Sequence, residues 1–315
     1  MYEVFFGLDE KPFSITPNPR FIFYSEHYRA ALEHLLYGLQ EKEGFMLVTG
    51  PVGTGKTTLC RELLASVDGD RCRTALVFNP FLNAVEMLQA LLSEFGCSYP
   101  AGATRKDLLD RLNRFLLEEL VEGRTCIAIF DEAQHLSEAF LEQIRVLSNL
   151  ETDNEKLLQI ILVGQPELRE RIQQPSLAQL DQRVSVRCVL RHLTDEETEQ
   201  YVYHRLNVAG ARGGVRFTRR AIARLHGASR GVPRLINLIA DRTLLAGFVD
   251  RTLKLSHVHV ERGLASLQGE ASAPKPAGRR LRARLWWLRS RAGAAVASAL
   301  AGLAAAARVL LGGIS

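Results

Sequence analysis

Short apolar runs alternate with amphipathic stretches over the first two thirds of the chain. Between the runs, apolar residues recur at helical spacing, as in KTTLCRELLASV and RKDLLDRLNRFLLEEL. The runs themselves are bounded by glycine, proline or charged residues and predict buried strands at residues 44–50, 74–80, 126–132, 157–165 and 183–190. Strands that alternate with helices predict an α/β fold, a three-layer sandwich whose mostly parallel sheet is covered on both faces.

The strand pattern ends near residue 194. From there to residue 267 the chain reads as successive amphipathic helices, including DEETEQYVYHRLNVAG and VPRLINLIADRTLLAGFVD. We therefore predict an α/β domain at residues 1–193 and a small all-helical domain at residues 194–267. Residues 268–284 open with QGEASAPKPAG, which is typical of a linker, and residues 285–315 form a basic, aromatic and alanine-rich terminal segment.

The net charge of +5 is concentrated in the terminal part of the chain. From Ala271 onward there are seven arginines, one lysine and no acid, which leaves 32 basic and 35 acidic residues in residues 1–270. The body is therefore not basic, and this argues against a nucleic-acid surface spread over it. Five single cysteines indicate reduced thiols, and the N-terminus lacks the pattern of a signal peptide, so we expect the body in the cytoplasm.

The strongest chemical signal is GPVGTGKTT, which follows a predicted strand and opens a predicted helix. It fits the phosphate-binding loop G-x-x-x-x-G-K-[ST] in full, in the structural context that this motif requires. Lys56 is expected to contact phosphate oxygens, and the Thr57 hydroxyl to bind Mg²⁺. The predicted nucleotide-binding residues are Gly50, Pro51, Val52, Gly53, Thr54, Gly55, Lys56, Thr57 and Thr58.

A second set of polar residues follows the buried strand in CIAIFDEAQH. Asp131 is expected to hold Mg²⁺ through its water shell, and Glu132 to act as general base on the attacking water. Gln165 ends the next strand, where its amide would lie beside the γ-phosphate, with a loop cap as the alternative.

Three arginines are candidates for charge stabilisation in hydrolysis. Arg183 would reach into a neighbouring subunit as an arginine finger, with Arg187 as a competing candidate. Arg234, in GVPRLIN, begins a helix of the second domain and would close over the nucleotide. For each of these arginines a surface salt bridge is the alternative.

The phosphate-binding loop, DEAQ, GQPEL and GVPR, followed by a helical lid, resemble an AAA+ ATPase. The opening FFGLDEKPFSITPNPRFIFYSEHYRAALEHLLYGL and the stretch LEQIRVLSNLETDNEKLLQIILVGQPEL resemble the ExeA/GspA type of general secretion pathway ATPases, from residue 1 to about residue 267. The resemblance implies the roles of Walker A, Walker B, sensor 1, arginine finger and sensor 2 for the residues above. It also implies that Asn79 restrains the catalytic glutamate.

This resemblance implies ATP and Mg²⁺ as ligands, a homo-oligomer, and ATP-driven assembly or operation of a bacterial envelope secretion system of the type II secretion, pilus or exopolysaccharide export type. It also implies an inner-membrane partner of the GspB/ExeB kind. The family continues into a periplasmic peptidoglycan-binding domain that this sequence does not show, so we do not carry over the wall-binding function. The alternative is a DNA-associated AAA+ ATPase of the transposition-helper or initiator sort.

The terminal segment carries RRLRARLWWLRSR before sixteen apolar or small residues at 292–307. As a helix these sixteen would span about 24 Å, against about 30 Å of hydrocarbon. Trp286 and Trp287, with arginines before the span, favour a membrane helix whose arginine-rich N-terminal end lies on the cytoplasmic side. A helix lying on anionic lipid is the next interpretation, and nucleic-acid binding the third. The predicted location is the cytoplasmic face of the bacterial inner membrane.

Overall fold

The computed structural model describes residues 2–78, 82–152 and 155–269. Five parallel strands form its central sheet in the order β2-β3-β4-β1-β5. The strands are β1 (Phe45–Thr49), β2 (Cys72–Val77), β3 (Thr125–Phe130), β4 (Leu158–Gly164) and β5 (Val186–Val189). All of β1 and β4 is buried, as expected for central strands of a sheet with two covered faces.

Helices cover both faces of the sheet, and successive residues of β1 show this. Phe45 and Leu47 belong to a core built with helices α4 to α8, whereas Met46 and Val48 belong to a separate core with α2 and α3. These helices are α2 (Glu26–Gln40), α3 (Lys56–Ser66), α4 (Ala84–Glu94), α5 (Arg105–Val121), α6 (Glu138–Leu147), α7 (Pro166–Ile172) and α8 (Ala178–Asp181). The predicted three-layer α/β arrangement is confirmed.

The chain beyond residue 194 is mainly helical, as predicted. Its helices are α9 (Asp195–Val208), α10 (Arg219–Ser229), α11 (Pro233–Val249) and α12 (His257–Leu267). Thr194 begins α9 with a capping box to Glu197, which satisfies free N–H groups of the first turn. A short parallel pair, β6 (Arg216–Phe217) with β7 (Lys254–Leu255), lies among these helices. Periodicity did not predict it, because two residues are too few to show alternation.

The first residues of the chain pack against the helices that follow residue 194. After helix α1 (Tyr2–Phe6), residues 8–23 form an irregular segment of turns with one short 3-10 helix, Pro19–Phe21, which we call the N-terminal strap. Tyr2, Phe6, Phe13 and Phe21 share one buried cluster with apolar side chains of α9 to α12. The predicted domain boundary at residue 194 separates sheet from helices along the chain, whereas this cluster joins residues from both sides of it.

The predicted linker and terminal segment lie outside the described residues, except for Gln268 and Gly269. Within the described ranges, no helix is both long and apolar enough to cross a membrane. All five cysteines are free thiols, and four of them are buried.

Candidate nucleotide-binding site

The loop between β1 and α3 is shaped by glycines in the left-handed region. Gly53 has φ +80° and Gly55 has φ +97°, values that a side chain would strain. A Cβ on Gly53 would lie 2.9 Å from Val232 Cγ1, so this turn of the loop comes close to the start of α11. Gly55 caps α3 without a side-chain hydrogen bond, which leaves the first N–H groups of an eleven-residue helix to bind an anion.

Lys56 is held within the turn of this loop. Its Nζ donates to the carbonyl oxygens of Gly50 at 2.7 Å and Pro51 at 3.1 Å, and the side chain is buried. Burial lowers the pKa of the Lys56 ammonium, while the nearby carboxylates of Glu132 and Asp131 oppose this shift. The ammonium thus lies close to the two carboxylates that follow β3.

A hydroxyl and a carboxylate meet beside the loop. Thr57 Oγ1 donates to Asp131 Oδ2 at 2.7 Å, and the backbone N–H of Glu132 donates to Asp131 Oδ1 at 2.8 Å. Within the described ranges there is no cluster of three or more His, Cys, Asp or Glu side chains that could hold a metal ion by itself. The Thr57 and Asp131 pair fits Mg²⁺, which takes one or two protein oxygens and completes its shell with phosphates and water.

Glu132 and Gln165 come together because β3 and β4 are neighbours in the sheet. Each residue lies just after the carboxyl end of its strand, and both line one cavity. Glu132 has φ +54°, an uncommon left-handed conformation for a residue with a side chain, and it is exposed. Gln165 occupies the position before α7, but its side chain makes no capping hydrogen bond.

The cavity has a volume of about 440 Å³ and is walled by three parts of the chain that are distant in sequence. The loop residues 52–58 form one wall, and the strap with the start of α2 forms another. Residues of α9 and α11, including Tyr201, Arg205 and Asn237, complete it. No local sequence motif marks the strap or these α9 and α11 side chains as part of a site, so they were not among the predicted site residues.

The remaining predicted residues fall into three groups. Arg234, next to Pro233 at the start of α11, lines the cavity. Arg183 and Arg187 do not line it: Arg183 Nη1 donates to Ser148 Oγ at 2.8 Å, and Arg187 forms an ion pair with Asp181 at 3.0 Å. Asn79 lies outside the described residues.

Comparison with known proteins defines the class of the chain. Residues 39–172 match a family model described as AAA domain. Among solved structures, Cdc6p of Pyrobaculum aerophilum superposes with a TM-score of 0.64 at 16% identity, covering 82% of this chain and 71% of that one. The RuvB branch migration motor of Thermotoga maritima gives 0.53 at 17% identity, covering 78% and 70%. These identities show the fold alone. The match of residues 39–172 to the AAA domain model, together with the site geometry, places the chain in the AAA+ class of P-loop proteins.

Within this class the sequence points to one type. General secretion pathway protein A of Aeromonas hydrophila is 47% identical over 257 residues, which are 82% of this chain and 47% of that protein. The chain thus spans about half the length of this curated relative. It is an AAA+ protein of the ExeA/GspA type, as the predicted resemblance implied.

Proposed function

We propose that the protein binds ATP with Mg²⁺ and hydrolyses it to ADP and phosphate. The observation that supports this is the convergence of Lys56, the Thr57–Asp131 pair, Glu132 and Gln165 at the carboxyl ends of three neighbouring parallel strands. Such an edge is where open parallel sheets bind nucleotides. In this proposal these side chains supply phosphate ligands, a Mg²⁺ site and a general base for phosphoryl transfer to water.

In this proposal the side chains have separate tasks. Lys56 and the N–H groups at the start of α3 bind the phosphates. Thr57 and Asp131 hold Mg²⁺, which when bound neutralises charge on the phosphate oxygens. Glu132 accepts a proton from the attacking water as the bond to the γ-phosphorus forms, and ADP leaves. Gln165 donates to a γ-phosphate oxygen, and Arg234 contacts the phosphates from α11.

The decisive experiment separates binding from hydrolysis. Glu132→Gln keeps size and polarity but removes the base, so we expect parent-like ATP affinity with phosphate release lowered about 100-fold or more. Lys56→Ala should instead lose ATP affinity itself. Glu138→Gln, a matched change at an exposed carboxylate in the first turn of α6, is the control. Parent-like hydrolysis by Glu132→Gln would contradict the assignment of the base.

For the cellular role, we propose that ATP hydrolysis drives assembly or operation of a bacterial envelope secretion system. The 47% identity to General secretion pathway protein A supports this role. The proposal includes a homo-oligomer, an inner-membrane partner of the GspB/ExeB kind, and attachment at the cytoplasmic face of the membrane through residues 285–315. Fractionation tests the attachment: the full chain should stay in the membrane pellet at high salt, and a chain ending at Gln268 should not.

One observation favours the second candidate, a DNA-associated ATPase. Arg216 and Lys254 are exposed register partners in β6 and β7, and the exposed Arg219 and Arg220 begin α10 nearby. Clustered cations of this kind fit a phosphate backbone. Binding of duplex DNA that weakens steeply with salt and is lost in Arg216→Gln/Lys254→Gln would support this candidate. Equal binding by that variant would remove it.

A further inference from the structure

Gln134 uses both ends of its side-chain amide at the edge of the candidate site. It lies in the short 3-10 turn Ala133–His135 that follows Glu132. Its Nε2 donates to Glu132 Oε2 at 2.6 Å, and its Oε1 accepts from the backbone N–H of Gln165 at 3.0 Å. One side chain therefore connects the proposed general base to the end of β4.

The partners fix the orientation of this amide. A carboxylate can only accept and a backbone N–H can only donate, so turning the amide over would break both hydrogen bonds. The turn that carries Gln134 is itself held by Arg171 of α7, which donates to the carbonyl oxygens of Gln134 at 2.6 Å and Leu136 at 2.7 Å. Gly164 leaves room for the amide, because a Cβ there would lie 2.9 Å from Gln134 Oε1.

Glu132 needs such a contact because its own surroundings hold it weakly. The residue is exposed and has left-handed backbone torsions, and its carboxylate must stay within hydrogen-bond reach of the attacking water. An exposed glutamate samples several rotamers, and a fixed donor selects one of them, so that the rotamer entropy of the carboxylate is lost before the reaction step.

We propose that Gln134 is a positioning residue: it holds the Glu132 carboxylate in its catalytic orientation and links that orientation to Gln165. This inference rests on the proposed ATP hydrolysis. Since the side chain of Gln165 is assigned to the γ-phosphate and its N–H is bound by Gln134, a shift of Gln165 on nucleotide binding reaches Glu132 through one amide.

Two variants separate the donor from the acceptor. Gln134→Met removes both hydrogen bonds at similar volume. Gln134→Glu keeps an acceptor for the Gln165 N–H but replaces the donor with a second carboxylate beside Glu132. We expect Gln134→Met to lower kcat about ten- to a hundredfold, the effect of losing a hydrogen bond to a charged group, with KM and ATP affinity within about twofold. Gln134→Glu should lower kcat at least as much, because the carboxylates repel.

Controls assign the effect to Glu132. Gln173→Met, at an exposed position after α7, should behave like the parent. In a Glu132→Gln background, Gln134→Met should cause no further loss of rate, since the residue it acts through is gone. Thermal unfolding of each variant and equilibrium binding of a fluorescent ATP analogue provide readouts that do not depend on turnover.

Several results would overturn the inference. A kcat within twofold of the parent in Gln134→Met is one, and an equal further loss in the Glu132→Gln background is another. A loss in Gln134→Met with normal turnover in Gln134→Glu would limit Gln134 to supporting the Gln165 backbone. If Gln134→Met does not fold, Gln134→Glu decides alone. An inactive parent would instead refute the proposed ATP hydrolysis, and an active Glu132→Gln would refute the assignment of Glu132 as the base, on which this inference rests.

Discussion

Arg205 offers a direct test of how the N-terminal strap is held. This arginine of α9 is 7% exposed, and its guanidinium donates to the carbonyl oxygens of Pro12 at 2.6 Å and Ser14 at 3.1 Å. It also donates to the Tyr201 hydroxyl at 3.0 Å and lies 4.8 Å from the centre of the Phe21 ring. Arg205→Met keeps much of the packing volume and removes every one of these polar contacts.

The magnitude follows from what the substitution leaves behind. Two strap carbonyls lose a charged donor, and an acceptor left unsatisfied in a buried place costs about 1–3 kcal/mol. The lost cation–π contact adds about 1 kcal/mol. Methionine avoids the cost of burying a charge, which offsets part of the loss. We expect the free energy of unfolding to fall by about 2–4 kcal/mol.

The same change should weaken nucleotide binding, because strap residues line the same cavity as the phosphate-binding loop. Urea unfolding gives the stability, and titration with a fluorescent ATP analogue gives the dissociation constant, which we expect to rise about tenfold. Arg220→Met, an exposed arginine on α10, is the matched control. A stability change below about 0.5 kcal/mol would refute the reasoning on Arg205. If the free energy of unfolding falls by the expected amount while the ATP affinity stays unchanged, the role of the strap in binding would be refuted.

Three further predictions concern stability and reactivity. A Cβ on Gly231, at φ +71°, would overlap the Leu193 carbonyl oxygen, so Gly231→Ala should lower the thermal midpoint, whereas Gly227→Ala, in open space on α10, should not. Burial raises the pKa of the Cys60 thiol to about 12, so iodoacetamide at pH 8 should label it, by mass spectrometry, only after unfolding in urea. Burial also lowers the pKa of His259 below 6.5 despite Asp250, and the unfolded chain therefore binds this proton more readily. The stabilisation from neutral His259 is complete above pH 6.5 and is lost as the pH falls below that value. The thermal midpoint should therefore decrease when the pH is lowered from 7.5 to 5.5, and it should decrease less in His259→Gln.

The central strands were predictable because burial on both faces demands uninterrupted apolar sequence. β1 and β4 lie within the predicted runs and end one residue inside them. β3 begins at Thr125, one residue before its predicted run, and ends at Phe130. The edge strands were located less well: β2 begins at Cys72, before the predicted run, and β5 covers only four of eight predicted residues. An edge strand has one neighbour, so a shorter and more polar sequence suffices, and its limits depend on tertiary contacts.

The same distinction applies to the site. The phosphate-binding loop and Asp131–Glu132 were recognisable because each group lies within a few residues of a strand end. The role proposed for Gln134 depends on Gln165, 31 residues away, and is visible only when β3 and β4 are side by side. For Arg183 and Arg187 the described contacts lie within the same chain, so which of them reaches a neighbouring subunit stays a prediction.

The shared walls of the cavity have a consequence for energy coupling. A nucleotide in it would contact the phosphate-binding loop, the strap and the start of α11 at once, and the strap is tied to α9 through Arg205. Each nucleotide stabilises the arrangement of these walls that it fits best. If ATP and ADP fit the walls differently, they therefore favour different arrangements. Hydrolysis would then shift the equilibrium between these arrangements of the strap and the loop. The free energy of that shift cannot exceed the difference between the binding free energies of ATP and ADP. Measuring the affinities of both nucleotides in Arg205→Met and in the parent therefore bounds the energy that this part of the protein can pass on.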